Sequence, residues 1–511
     1  MIKTNHIFSA FFLPVFAALL MGVTFPRFNI WVFSFFGFVP LFLSIRNCSP
    51  LSGFWRGYLM GCVFVCLCSH WLIGTLVSYG DMPLEIAYGI YSLMVLSLAL
   101  YYGFFCFFIS YAKQKWGTSY YMTAPALMVF LEWIRGYNPV GFPWNNLGYS
   151  LYNQTVLIQI ADITSVYGLT YWIILTNCAL YEIFFEKIHQ KYNYNPLIAV
   201  LCFFLLFMGY GVYRTNEKTQ FKPVTIAVLQ GNIGIDKKWD PEFRDRIIDI
   251  YKDLTEAAAD PDVDLIVWPE ASLPVKLKNN YKLQNAIFDL AHETRKYLLI
   301  GSVDYDPKTG NSYNAAFLIS PERKITNTYY KMRLVPFGEY VPWSRIFFFI
   351  DKITDAYGDF YPGTNPAVMS IDNKFRASIF ICYETVFPAL LRKFAANGAQ
   401  VLINITNDAW FGLTDAPYQH FSFLTFRAIE NRVPIARSAN TGISGFIDSS
   451  GHILEMTEIA TKTLAKKTLF LDNRISFYCK YGDIFVYCCV GLLLYYYIRF
   501  KYHSRKSKSI N

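Results

Sequence analysis

The sequence predicts a polytopic α-helical membrane bundle of about eight spans carrying an α/β domain, on three observations. The 511 residues are 54% hydrophobic and 19% aromatic but only 16% charged, too apolar a mixture for an ordinary pair of soluble domains. Apolar runs of spanning or nearly spanning length are confined to the first 213 residues and to one stretch near the C-terminus, the required length being set by a hydrocarbon core of about 30 Å. Between them, charged helical segments alternate with short β-branched runs, the pattern of an α/β fold.

In chain order, the apolar runs fall at 7–25, 29–45, 54–76, 86–112, 120–134, 162–186 and 196–213, with an eighth at 482–500. The first follows Lys3 in the manner of a signal peptide, but a second run arrives almost at once and no clear small-x-small cleavage site intervenes, so it is read as an anchor. The fifth is short and carries Glu132. Cytoplasmic loops retain Lys and Arg. One set of alternate loops, with the tail, holds Lys3, Arg46, Arg56, Lys113, Lys115, Lys187, Lys191, Arg499, Lys501, Arg505, Lys506 and Lys508, whereas the opposite set holds Arg27 and Arg135. This bias of twelve to two puts both termini in the cytoplasm and the stretch between the seventh and eighth runs on the outer side, the periplasm of a bacterium. The expected domains are a seven-span region over 1–213, an outer α/β domain over 214–478, and a last span with a basic tail over 479–511.

Within the outer domain, strands are expected at 224–233, 264–270, 297–303, 314–320, 377–384, 401–408 and 433–440, several of them buried on both faces. Helical periodicity with polar faces marks 241–259, 282–296, 385–397 and 416–431. The net charge of +9 is not gathered into a nucleic-acid-binding module, and nucleic acid is excluded as a partner. Ten of the eleven cysteines lie in or beside the apolar regions, which leaves Cys382 alone in the polar middle. No His-rich or Cys-rich spacing suggests a metal.

Three polar residues close or sit in strand-like runs: Glu270 after DLIVWP, Lys331 after TNTYY, and Cys382 in ASIFICYE. Ends of strands facing loops are where α/β folds carry reactive groups. Singly, each has an ordinary structural explanation, as a cap, a surface charge and a small buried hydrophobe. Together they form a complete set for acyl transfer through a thioester: a thiol, a carboxylate to take its proton, and an ammonium for the thiolate and the oxyanion. Spacing alone does not bring them together.

The words around them are WPE (268–270), KMRLVPFGEYVP (331–342), CYE (382–384) and NDAWFG (407–412). In this order they resemble the nitrilase, or carbon–nitrogen hydrolase, superfamily over roughly 224–470. More narrowly, LVPFGEYVP, QGNI (230–233), RAIENR (427–432), RSANTG (437–442) and the flanking spans resemble the apolipoprotein N-acyltransferases over nearly the whole chain. The resemblance implies an αββα sandwich set on the spans, with no metal or organic cofactor. It implies Glu270 as general base, Lys331 as the oxyanion-stabilising cation, Cys382 as the acylated nucleophile and Glu339 as a second essential carboxylate. Tyr383 and Glu384 match residues that shape the family's site, and Trp239 matches an aromatic implicated in substrate binding; for Tyr383 and Trp239, plain packing stands as an equal alternative. The implied reaction is ping-pong: Cys382 takes an sn-1 acyl chain from a phospholipid, typically phosphatidylethanolamine, and the α-amino group of an apolipoprotein's diacylglyceryl-cysteine collects it as an amide.

Residues 343–361 form a dense aromatic patch, and Trp343, Phe347, Phe348 and Phe349 are expected to make a lid dipping into the outer leaflet, with packing inside the domain as the alternative. Glu132, Arg135 and Trp144 lie in a region with a family counterpart and read as scaffold; Glu132 and Arg135 fit a functional site or an intrahelical pair. His420 reads as structural or as a supporting group, and Arg333, if it faces the site, depresses the thiol pKa of Cys382. Two rivals remain. A membrane-anchored nitrilase-type amidase uses the same triad with water, but eight spans are far more than anchoring needs. A transporter needs paired charges or broken helices inside its spans, which here are nearly charge-free.

Overall fold

The computed structural model describes residues 8–80, 82–117, 120–137, 141–186, 194–217, 222–238, 240–273, 275–341 and 360–508. The chain divides into two compact units, one of residues 1–73, 84–216 and 483–511, the other of residues 74–83 and 217–482.

The first unit is helical: α1 (Leu13–Gly22), α2 (Val39–Ile45), α3 (Pro50–Ser69), α5 (Leu84–Trp116), α6 (Tyr120–Tyr137), α7 (Tyr167–Phe185), α8 (Asn195–Thr215) and α13 (Ile484–Lys508). Helix α4 (Trp71–Gly80) straddles the division. Among the described residues five helices are long and apolar enough to cross a membrane: α3, α5, α7, α8 and the Ile484–Tyr502 part of α13. The first two apolar runs fold as shorter helices, Ser9–Gly22 and Trp31–Ile45. The third run does not continue as one helix, because α3 ends at Ser69 and a new helix starts at Trp71.

Close approach of α3 to α5 rests on Gly53, Gly57 and Gly61, spaced four apart on one face. A Cβ on Gly57 would collide with the Tyr102 carbonyl and the Cys106 thiol, the small-residue packing by which helices associate where lipid supplies no hydrophobic drive. Glu132 on α6 spends its carboxylate away from its own helix. Its Oε1 accepts from the Leu147 amide at 2.7 Å and its Oε2 from the Thr170 hydroxyl at 2.7 Å, while Arg135 donates to Asn146 Oδ1 at 2.6 Å. These bonds tie segment 144–150 to α6 and α7, with Trp144 stacked on Phe142 and packed against Trp71.

The second unit contains two six-stranded sheets. The first runs β12-β1-β2-β3-β4-β5 and the second β11-β10-β9-β8-β7-β6. The strands are β1 (Lys222–Gln230), β2 (Leu265–Val267), β3 (Tyr297–Asp306), β4 (Asn311–Ser320), β5 (Lys324–Tyr330), β6 (Met369–Ile371), β7 (Phe375–Ile381), β8 (Val401–Thr406), β9 (Ile435–Ala439), β10 (Gly445–Ile447), β11 (Ile453–Met456) and β12 (Thr463–Leu471). β1, β2 and β3 run parallel, as do β7, β8 and β9. Helices α9 (Arg244–Ala258) and α10 (Tyr281–Thr294) bury Ile247, Tyr251, Leu254, Ile287 and Leu290 against the first sheet. Helices α11 (Pro388–Ala396) and α12 (Ala416–Asn431) pack on the second. The sheets face each other through β1 and β9, where Ser438 donates to the Leu229 carbonyl at 2.7 Å. The result is a four-layer αββα sandwich, two facing sheets with helices packed on each. Central strands such as β8 are buried at every position, which is why VLINIT reads as an unbroken apolar run.

Candidate active site

The candidate groups stand where strands end. The ASIFICYE run stops being a strand at Ile381, and Cys382 opens a short 3₁₀ turn with φ +50°, the left-handed region that costs a residue with a side chain about 1 kcal/mol or more. Likewise β2 ends at Val267, so WPE forms the loop after it. Gly301 on β3 makes room for that loop: a Cβ there would strike the Pro269 carbonyl and the Glu270 Cα.

Lys331, 1% exposed, lies between two carboxylates, with Nζ 2.9 Å from Glu339 Oε1 and 3.4 Å from Glu270 Oε1. Asn314 on β4 donates through Nδ2 to the same two oxygens, at 2.7 Å to Glu270 and 2.9 Å to Glu339. The outer oxygens are held by backbone: Glu270 Oε2 accepts from the Asn407 amide and Glu339 Oε2 from the Val335 amide, both at 2.8 Å. Burial pulls the Lys331 ammonium down, and the two carboxylates together outweigh it and push its pKa up. Burial pushes the Cys382 thiol up, Glu270 adds to this, and Lys331 opposes it. The balance of these effects holds the Cys382 side chain as the thiol. The Arg333 guanidinium lies over the Phe387 ring, 5.4 Å from the centroid.

Glu384, fully buried, links the turn of Cys382 to the loop of Lys331. It accepts from the Ile381 amide at 2.6 Å, the Met332 amide at 2.7 Å, the Arg333 amide at 3.0 Å and the Tyr329 hydroxyl at 2.8 Å. Burial raises its carboxyl to about 7 against the pull of these donors. Tyr383 is buried with its ring edge-on to Phe387 at 5.1 Å. His420 touches the site through backbone: its Nε2 lies 3.1 Å from the Cys382 carbonyl and its Nδ1 3.1 Å from Asp408, which Arg437 also engages. Trp239, Trp343, Phe347, Phe348 and Phe349 lie outside the described residues.

Asn314 and Lys238 carry no signal in the sequence. The first sits inside an apolar strand run, and the second is one lysine among many charged neighbours. Lys238 is buried and donates to the Glu270 carbonyl at 3.1 Å. Burial drops its pKa to about 7, with Glu270 pulling the other way. The unfolded chain then holds a proton that the folded chain gives up, so this lysine makes stability rise as pH climbs from about 7 to about 10, by on the order of a few kcal/mol. Lys238→Met is expected to flatten that rise in thermal unfolding followed across this pH range; an unchanged slope would assign it to another group.

Residues 17–179 match the family described as the apolipoprotein N-acyltransferase N-terminal domain, and residues 225–471 match carbon–nitrogen hydrolase. A protein named apolipoprotein N-acyltransferase from Geobacter metallireducens is 36% identical over 488 residues, covering 94% of this chain and 93% of its own. Proteins of the same name from Rickettsia prowazekii and Chlorobaculum tepidum are 32% and 28% identical, covering 78% and 94% of this chain and 79% and 95% of theirs. Similarity of this extent runs through the helical region and the sandwich alike, and the chain belongs to the apolipoprotein N-acyltransferase family.

Proposed function

We propose that the chain completes bacterial lipoprotein maturation in the inner membrane by moving an sn-1 acyl chain from a phospholipid, typically phosphatidylethanolamine, to the α-amino group of an apolipoprotein's diacylglyceryl-cysteine. The observation that carries this reading is the buried Lys331 held between Glu270 and Glu339, in a chain whose acyltransferase relatives match it nearly end to end.

In the first half-reaction Glu270 takes the proton of Cys382 Sγ as the sulfur attacks the ester carbonyl, and the Lys331 ammonium faces the oxyanion. Collapse breaks the ester C–O bond, the departing oxygen takes the proton back from Glu270, and a lysophospholipid leaves a thioester on Cys382. In the second, the α-amine attacks the thioester and passes a proton to Glu270. The C–S bond breaks, the sulfur recovers that proton, and the amide is released. The raised thiol pKa supports a base-assisted attack over a standing thiolate.

An eight-span topology, with the catalytic domain at about 214–478 in the periplasm and both termini in the cytoplasm, accords with the Lys and Arg distribution. The test is intact-protein mass spectrometry of the purified enzyme with phosphatidylethanolamine, beside Cys382→Ala. An acyl mass on the unaltered chain alone, discharged by a diacylglyceryl-cysteine peptide, is the expected result. Discharge by water as fast as by peptide would make the chain an amidase-type hydrolase, and no adduct with any phospholipid would end the transferase reading.

A further inference from the structure

Asn314 is placed at a local disadvantage. It is 6% exposed, and its Nδ2 serves Glu270 and Glu339 together. Among the described residues its Oδ1 is buried with no hydrogen-bond partner. The opposite assignment of the amide would set its oxygen against two carboxylate oxygens, so the orientation is dictated by its neighbours. An unpaired buried acceptor costs about 1–3 kcal/mol. A side chain selected only for the fold at this position of an apolar strand would not carry that cost, and such local conflicts mark functional positions.

The geometry around it is a four-cornered arrangement. Two acceptors, Glu270 Oε1 and Glu339 Oε1, alternate with two donors, Lys331 Nζ and Asn314 Nδ2. Lys331 supplies the charge that lets the carboxylates lie close, and Asn314 supplies two N–H bonds without charge. A second lysine in its place would cancel the cluster's negative charge, and a third acid would raise it. The Asn314 carbonyl also accepts from the Lys331 amide at 2.9 Å, so one residue positions both the ammonium's backbone and its two partners.

We propose that Asn314 is a positioning residue of the acyl-transfer site: its amide keeps Glu270 and Glu339 aligned on Lys331. The proposal rests on the reading of Glu270 as the base for Cys382. The ionisable groups that face the pair are Lys331 after β5, Lys238 after β1 and Cys382 after β7. None of them would be altered by changing Asn314. Hydrogen bonds to the charged form lower a carboxylate's pKa, so their removal moves ionisation to higher pH.

The experiment is the pH profile of acyl-enzyme formation, read as adduct mass against time with phosphatidylethanolamine vesicles, for the unaltered chain, Asn314→Ser and Asn314→Ala. Loss of the two N–H bonds is expected to shift the acid limb upward by about one pH unit in Asn314→Ala. A smaller shift is expected in Asn314→Ser, whose hydroxyl can serve one carboxylate. A lower plateau with the acid limb unmoved in both variants would overturn the proposal, since general loosening of the fold lowers rate without moving that limb. If Asn314→Ala does not fold, the serine variant carries the test alone. Absence of an adduct on the unaltered chain would instead strike the reading of Cys382 and Glu270 beneath it.

Discussion

Lys331→Met is expected to stop acyl-enzyme formation, with a loss of about 10⁴-fold or more, the scale seen when one member of an interdependent catalytic set is removed. The same change should destabilise the chain. Lys331 is the cation between two buried carboxylates whose inner oxygens lie 2.9 and 3.4 Å from its Nζ. Taking away one partner of a buried ion pair costs about 3–5 kcal/mol, because the charge left behind is neither solvated nor paired. Without the ammonium, Glu270 and Glu339 keep only the Asn314 amide between them, and mutual repulsion and burial push their pKa values up. A carboxyl whose folded pKa is raised contributes stability at low pH that is lost as pH rises through that value. The methionine variant should therefore unfold at a lower temperature than the unaltered chain at pH 8, with the gap narrowing towards pH 5. Thermal unfolding in detergent across this range measures it. An adduct rate within tenfold of the unaltered chain would show that Lys331 is not part of the chemistry.

Glu384→Gln comes next in expected size and acts without touching the reacting atoms. The carboxylate takes hydrogen bonds from three backbone amides and the Tyr329 hydroxyl. Whichever way a glutamine amide turned, its NH₂ would face at least one of those N–H groups, so a bond is exchanged for a donor–donor clash in a dry site. The expected cost is about 2–4 kcal/mol of stability. Because the same carboxylate joins the Cys382 turn to the Lys331 loop, the two groups should lose register. A displacement of about 1 Å can cost 10²-fold in rate, and a loss of about 10²–10³-fold in acyl-enzyme formation is expected. Unaltered acylation kinetics in a folded Glu384→Gln chain would refute this linking role.

Legibility of the fold in the sequence varied with how local its cause was. Helix α12 occupies the residues that periodicity assigned, 416–431, because its apolar spacing is written in sixteen consecutive positions. β1 and β8 were visible because burial on both faces leaves an unbroken apolar run. Strand β12 was not: its Lys466-Lys467 pair interrupts any alternation, and it is a strand because nine residues pair antiparallel with β1. β6 and β10, at three residues each, are too short to show a period. Apolar runs stood out by composition, yet where a run breaks into two helices, as at His70, hydropathy is blind to the break.

The residues that could do chemistry divide the same way. Glu270, Lys331 and Cys382 were nameable from the strand-like runs they close or sit in, whereas Glu339 and Glu384 were nameable only through the resemblance of the words around them. Which of them meet was decided by the tertiary structure. Glu270 and Lys331 are 61 positions apart in the chain, and their contact follows from the parallel placement of β2 beside β3 and the antiparallel placement of β4 and β5. Asn314 and Lys238 gained their significance only there, one from the register of β4 and the other from burial under the Glu270 loop. The apolar runs and the α/β alternation were written in the sequence alone, because these depend on composition and short periodicity, and so were the candidate site side chains, by the words around them. The four-cornered hydrogen-bonded cluster, the raised pKa of the thiol and the left-handed turn at Cys382 depend on which distant groups exclude water around one another, and only the folded chain sets that.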